Sequence, residues 1–325
     1  MATIRDVAKL ANVSTATVSR VLNNQGYVNN ETRKRVNDAI KQLNYRPNDV
    51  ARSLFKGRSK MIALFVPDIK NPFFPELARA VEDVTNKHNY TFVLCNTDDN
   101  LDKEITYLNG LQQKSVDGLI MVSSTISQED IKNISVPIIS LDRKFSSEVS
   151  SVTVNNRKGA EIATRYLKSI GCKRIAHICG PQSASNSMDR LKGYLDVVKH
   201  ESWFLSSYVV SGDYRFQQSF EITREMLTQH PEIDGIFVGN DLMAVGVLKA
   251  TKSLKIKVPE ELSIIGFDGI SIGETTTPTL TTMQQPIYKL GVRAAQILLD
   301  HINNPNHDII QEEWDVTLIK RDSTK

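Results

Sequence analysis

Cysteine is scarce in this chain. Three residues in 325, Cys95, Cys172 and Cys179, include no C-x-x-C pair. That excludes a disulfide framework and the usual spacing of a structural zinc site. Cys95 and Cys179 lie in apolar stretches and read as inert buried thiols, which suits a reducing, cytoplasmic setting. The six histidines, His88, His177, His200, His230, His301 and His307, are scattered without metal-ligand spacing. Surface or capping roles are expected for them. No G-x-G-x-x-G follows a strand, and neither G-x-x-x-x-G-K-[ST] nor H-E-x-x-H occurs. The chain therefore reads as a non-enzyme without cofactor or metal. No apolar run is long enough to span a bilayer. Nothing resembles a signal peptide, which argues against a secreted carrier. Asp98, Asp99 and Asp102 form a carboxylate cluster expected to be a solvated loop and helix cap.

What the chain does have is an uneven charge. Residues 1–60 hold 12 Lys/Arg and 4 Asp/Glu, whereas the remainder holds 28 against 33. A basic end on a mildly acidic body points to a polyanion partner for that end. Within it, Ile4, Val7, Ala8 and Ala11 recur at helical spacing, and Val18, Val21 and Leu22 resume the period after Val13. Two short helices joined by a tight turn follow, with Ser14 capping the second. This is the build of a helix-turn-helix, whose second helix enters the major groove. A third helix, from Asn30 or Glu31 to about Asn44, carries Val36, Ala39, Ile40 and Leu43 as its core stripe.

Pro47 ends any preceding helix, and Asn48 and Asp49 suit a helix start. Val50, Ala51 and Leu54 then share one face of a two-turn helix, too short to be stable alone.

The run Ala2-Thr3-Ile4 through Val21, with Tyr45-Arg46-Pro47-Asn48 through Leu54, resembles the LacI/GalR family of transcriptional repressors, and the match runs essentially end to end. The resemblance implies a helix-turn-helix head at 1–47, a hinge helix and linker at 48–59, and an effector-binding and dimerisation core at 60–325. It makes Thr15, Ala16 and Arg20 the base readers and Leu54 an apolar wedge in the minor groove. Arg20 can donate two bonds to guanine O6 and N7, while Ala16 offers a methyl. Ser14, Thr17 and Asn23 are candidate phosphate contacts, which position without specifying.

Past residue 60, short apolar runs alternate with amphipathic stretches, the rhythm of a parallel sheet covered by helices. Strands are expected at 62–66, 90–95, 118–122, 137–141, 174–179, 207–210, 235–238 and 262–266. About 265 residues is the size at which one core splits in two. The resemblance implies two lobes of periplasmic-binding-protein type. Lobe one covers about 60–157 and 286–314, and lobe two about 158–284 and 315–325. Three crossovers are placed near 156–159, 283–286 and 313–317.

Ligands in open α/β sheets sit beyond the carboxyl ends of the strands. There the sequence places Asn71, Phe73 and Phe74; Asp142 and Arg143; Arg190; Tyr214; Asn240; Asp268; and Gln285 at a crossover. Aspartates accept from hydroxyls, Arg and Asn donate, and aromatic rings stack on sugar C–H faces. Asp241 reads as a helix N-cap. The pieces Asn71-Pro72-Phe73-Phe74, Asp142-Arg143, Arg190, Asn240-Asp241, Phe267-Asp268-Gly269 and Gln285 are similar to the pocket of ribose-binding proteins. They imply a small sugar effector, ribose first, with sucrose or a related sugar as the alternative.

The expected protein is thus a homodimeric repressor that holds operator DNA and is released by sugar. No heptad zipper follows Trp314, which favours dimer over tetramer. The rivals are a catabolite regulator that uses a phosphorylated carrier protein as corepressor, and a purine-responsive repressor.

Overall fold

In the computed structural model, residues 2–45, 58–123, 125–144, 146–304 and 306–325 are described. The chain divides into two units, Met1–Ser59 and Lys60–Lys325. Most of the expected hinge, including Leu54, lies outside the described residues.

The first unit holds three helices, α1 (Ile4–Leu10), α2 (Thr15–Asn23) and α3 (Asn30–Gln42). Each begins on a side-chain cap. Thr3 and Asp6 form a capping box at α1, Ser14 Oγ accepts from Thr17 N at 3.1 Å, and Asn29 accepts from Thr32 N at 2.7 Å. Such caps satisfy donors that a helix start leaves without partners. Asn12 turns the chain between α1 and α2 at φ 51°, and Asn24 ends α2 at φ 50°, conformations that asparagine tolerates. Val7, Val18 and Val36 are fully buried at the centre, backed by Ala8, Ala11, Val21 and Ala39. So small a core gives little margin of stability.

The second unit is built on two six-stranded sheets. The first runs in the order β11 (Gln311–Trp314), β5 (Ser150–Val154), β4 (Ile138–Leu141), β3 (Gly118–Met121), β1 (Met61–Val66), β2 (Thr91–Asn96), all parallel. The second runs β12 (Thr317–Ile319), β10 (Thr281–Gln284), β9 (Ser263–Asp268), β8 (Gly235–Val238), β6 (Ile175–Cys179), β7 (Val209–Ser211). It is parallel except for β12, which pairs antiparallel with β10.

Alternation decides which helices cover which face. In β1, Ile62, Leu64 and Val66 join the core under α4 (Phe73–Lys87) and the last long helix (Ile287–Asn303). Ala63 and Phe65 point the other way, toward α5 (Leu101–Gln113). In β8, Phe237 faces α7 (Asn156–Ser169) and α8 (Ser185–Val198), while Ile236 and Val238 face α9 (Phe216–Gln229) and α10 (Asp241–Leu254). Among the described residues two short α-helices, α6 (Gln128–Ile131) and α11 (Ile272–Thr275), lie between these, so Ile287–Asn303 is α12.

The chain passes between the sheets three times: from β5 into α7 at 155, from β10 into α12 at 285–286, and from β11 into β12 at 315–316. Strands β5, β10, β11 and β12 carry no run of aliphatic residues, so no local pattern in the sequence announces them.

His177 departs from the surface role. It is fully buried in β6, stacked on Phe237 at 4.8 Å and on Tyr194 at 5.1 Å. Its Nδ1 lies 2.9 Å from the Phe237 carbonyl. Burial lowers its pKa to about 4, so the ring is neutral. His301 is buried as well.

Candidate functional site

In the first unit, Thr15, Ala16 and Arg20 are exposed along α2. They span a turn and a half, the reach a recognition helix uses on base edges. Ser14 and Thr17 are tied to each other, Oγ to Oγ1 at 2.9 Å. Asn23 spends its amide on the helix itself, donating to the Ser19 carbonyl at 2.9 Å.

In the second unit, a cleft of about 600 Å³ opens at the carboxyl ends of both sheets. Asn71, Phe73, Phe74, Asp142, Arg143, Arg190, Tyr214, Asn240 and Asp268 all line it. Gln285 does not line it; it stands behind Asp268, donating Nε2 to Oδ1 at 2.8 Å. The sheets thus bring together residues separated by as much as 201 positions, from Pro67 to Asp268.

The backbone is bent hard here. Asp98, Asp99, Asp142, Asp213, Tyr214 and Asp268 all have positive φ, and Asp268 reaches 113°. All six line the cleft. Strain of this kind is held where surrounding structure over-determines it, and it gathers at ligand sites. At Asp268 the hold is visible. Its carbonyl accepts from Gln285 N at 2.9 Å, and Asp241 Oδ2 accepts from Gly269 N at 2.7 Å and from Ile270 N at 3.0 Å. Asp241 is therefore not the N-cap. Asn240 caps α10, accepting from Met243 N at 2.8 Å. Asp241 instead clamps the loop after β9, and its Oδ1 takes a 2.6 Å bond from Thr282 Oγ1. That oxygen sits so near Gly266 that a Cβ there would lie 2.1 Å from it.

Both buried arginines of the cleft are paired with aspartates. Arg190 is 2 % exposed; its Nη1 lies 3.3 Å from Asp268 Oδ1, and its guanidinium stacks 3.7 Å above the Phe267 ring. Arg143, also 2 % exposed, donates to Asp99 Oδ1 at 2.7 Å. Asp99 therefore belongs to the cleft rather than to a solvated loop, and Asn100 is the residue that caps α5. Asp142 Oδ2 accepts from Asn186 Nδ2 at 2.9 Å, while its buried Oδ1 has no hydrogen-bond partner among the described residues. Asn186 Oδ1 in turn accepts from the Tyr214 hydroxyl at 3.2 Å. Tyr214 fits only because residue 180 is glycine: a Cβ there would come within 2.4 Å of the ring. Phe73 and Phe74 meet edge to face at 5.2 Å, and Asn71 Oδ1 orders their turn by accepting from Phe73 N at 3.1 Å.

Burial pushes the Asp268 carboxyl up to about 7, against the pull of Arg190 and with the charge of Asp142, and it pushes the Asp241 carboxyl up to about 8 with the charge of Asp268. Burial also raises Asp142, against the pull of Arg190 and Arg143. A carboxyl whose folded pKa lies above its ordinary 3.8 adds stability that is complete near pH 4 and is lost as pH rises through the folded value. The ligand-free protein should therefore melt lower at pH 9 than at pH 6. At about 1.4 kcal/mol per pKa unit and roughly 2–4 °C per kcal/mol, the fall is about 3–6 °C for each pH unit crossed below the folded value. Asp241→Asn should flatten that slope. A melting temperature that rises from pH 6 to 9 would contradict the assignment.

No helix among the described residues is long and apolar enough to cross a membrane.

Residues 59–325 match the model of periplasmic binding proteins and the sugar-binding domain of the LacI family. Residues 3–48 match that of the bacterial regulatory proteins of the lacI family. A ribose operon repressor of Halalkalibacterium halodurans is 45 % identical over 325 residues, covering 100 % of this chain and 98 % of that protein. Among solved structures, the lac repressor dimer bound to operator and the anti-inducer ONPF superposes with a TM-score of 0.89 at 25 % identity over 99 % of each chain. A LacI-family regulator from Enterococcus faecium with bound ribose gives 0.74 at 32 % identity over 81 % of this chain and 98 % of its own.

Proposed function

The chain belongs to the LacI family of bacterial regulatory proteins, and from that premise we propose that it is a cytoplasmic, homodimeric repressor whose hold on operator DNA is released by ribose. The observation that carries the effector assignment is the pairing of the buried cations in the cleft. Both buried arginines already face aspartates, Arg190 with Asp268 and Arg143 with Asp99. An anionic effector would have to displace one of those partners. A neutral, hydroxyl-rich ring does not. It donates to Asp142 and Asp268, accepts from the guanidinium edges and Asn240, and lays its C–H face on Phe73, Phe74 or Tyr214. A ribose operon repressor as relative and a ribose-bound structural neighbour support the same choice.

On the DNA side, α2 reads bases through Thr15, Ala16 and Arg20. Ser14 and Thr17 hold the phosphates, with Asn23 joining them by turning its amide away from the Ser19 carbonyl, and the segment 48–59 forms a hinge whose Leu54 wedges the minor groove. Leu54→Ala removes the wedge, so operator affinity should fall by about 10-fold or more, since without it the duplex loses the bend whose added contacts outweigh the few kcal/mol that unstacking costs. Ribose affinity, measured on the same preparation, should be unchanged. Equal operator affinity in the variant would dispose of the wedge.

Titrating a labelled operator duplex with the full-length protein, with and without saturating ribose, tests the reading as a whole. Release by ribose is the expected result. Tighter DNA binding with ribose, or indifference to it alongside a response to a phosphorylated carrier protein, would overturn it. Linkage adds that ribose must bind less tightly to the DNA-bound form, by the same factor.

A further inference from the structure

Arg190 reaches beyond the cleft. Its Nε donates to Asn156 Oδ1 at 2.8 Å, and Asn156 Nδ2 donates to the Val154 carbonyl at 3.0 Å. Val154 is the last residue of β5 in the first sheet, and Asn156 is the first residue of α7, which packs on the second sheet. The asparagine thus spans the first crossing between the lobes. On the other side of the guanidinium, Asp268 joins Arg190 to Gln285 at the second crossing. The third crossing lies alongside the first: Asn155 N donates to the Trp314 carbonyl at 2.8 Å. Asn156, Arg190, Asp268 and Gln285 are each no more than 5 % exposed. Neither Asn156 nor Gln285 lines the cleft.

A buried polar chain of this kind resists partial rearrangement. In a low-dielectric interior each bond is strong, and each lost partner costs the full desolvation of the group left behind. An asparagine side chain is planar, so its acceptor and donor cannot be aimed independently. If Arg190 is re-aimed, Asn156 must either follow or release Val154.

We propose that Asn156 is a positioning residue that couples effector occupancy at Arg190 to the relative setting of the two lobes, with Gln285 as its counterpart at the second crossing. The proposal rests on the sugar-responsive reading. It supplies the two-arrangement element that such a response needs, placed where lobe movement must bend the chain.

Asn156→Asp separates the two bonds. A carboxylate keeps the acceptor toward Arg190 and sits favourably at the start of α7, yet presents oxygen instead of N–H to the Val154 carbonyl. Full-length protein is used, with ribose as the probe. Ribose affinity is read by calorimetry, and operator affinity is read with and without saturating ribose. Wild-type operator affinity should drop by about 5- to 150-fold, the usual range of allosteric coupling. In Asn156→Asp, ribose affinity should stay within about threefold of wild type while the drop shrinks below about twofold. A variant that merely perturbed packing would lose ribose affinity or melting temperature and still release fully at saturation. Gln285→Ala stands in if the first variant does not fold; because Gln285 holds Asp268, it is read at saturating ribose alone, where the drop in operator affinity should likewise shrink below about twofold. Full release by a folded Asn156→Asp would overturn the coupling alone. A wild-type protein indifferent to ribose would remove the sugar-responsive reading and the proposal with it.

Discussion

Replacing Arg190 by alanine should leave a repressor that still holds its operator and no longer answers to ribose. The side chain is the one cation within ion-pair distance of Asp268 among the described residues, and Asp142 adds a second negative charge to the same space. Removing one partner of a buried ion pair typically costs about 3–5 kcal/mol, because the other is left uncompensated. Asp268 already has a pKa near 7. Without Arg190 it takes up a proton and offers a sugar a hydroxyl where it had offered a carboxylate. Ribose affinity should fall by at least about 100-fold, since each 1.4 kcal/mol is tenfold. Arg190→Lys keeps the charge but not the planar fork, and should bind ribose with intermediate affinity. Calorimetry together with a melting curve separates the site from the fold. A folded Arg190→Ala protein with wild-type ribose affinity would place the effector elsewhere.

The second large effect concerns the other unit. Val18 is fully buried where α2 meets α1 and α3. Val18→Asp puts an unpaired carboxylate there, at a cost of several kcal/mol. The core of that unit is a handful of valines and alanines and has no comparable reserve. Operator binding should therefore be lost, and the far-ultraviolet helix signal should fall by about the share of α1 to α3. Ribose affinity should be untouched, because the cleft is built wholly from residues of Lys60–Lys325. Retained operator affinity would mean that this packing is not what presents α2.

The core strands were legible because parallel strands are buried on both faces and so become runs such as Ile62 to Val66 and Gly235 to Val238. Strands β11 (Gln-Glu-Glu-Trp) and β12 (Thr-Leu-Ile) lie at sheet edges, where one side needs no apolar cover. Strand β10 (Thr-Thr-Met-Gln) is buried but polar. Its threonines are satisfied from far along the chain, Thr281 by Arg321, Ser323 and Thr324 and Thr282 by Asp241. No local pattern announces such partners.

The same distinction governs the site. Residues that follow strands could be named in advance, because fold topology alone puts them at one end of the sheets. Asp99 gives no local sign of its place in the cleft, because its partner, Arg143, lies 44 residues away. Asn156 carried no signal, since its meaning depends on a guanidinium 34 residues on. Asp241 looked like a cap because it opens a helix. Only the folded loop shows that Asn240 does the capping while Asp241 braces the backbone beside Asp268.

The most direct test of the central claim is a calorimetric titration of the full-length protein with ribose, with sucrose, glucose and hypoxanthine as comparators. Selective, saturable heat with ribose, abolished in Arg190→Ala, is the predicted result. Heat with hypoxanthine or with another sugar while ribose stays silent would contradict the effector assignment, and silence with all four would contradict the cleft as a small-molecule site.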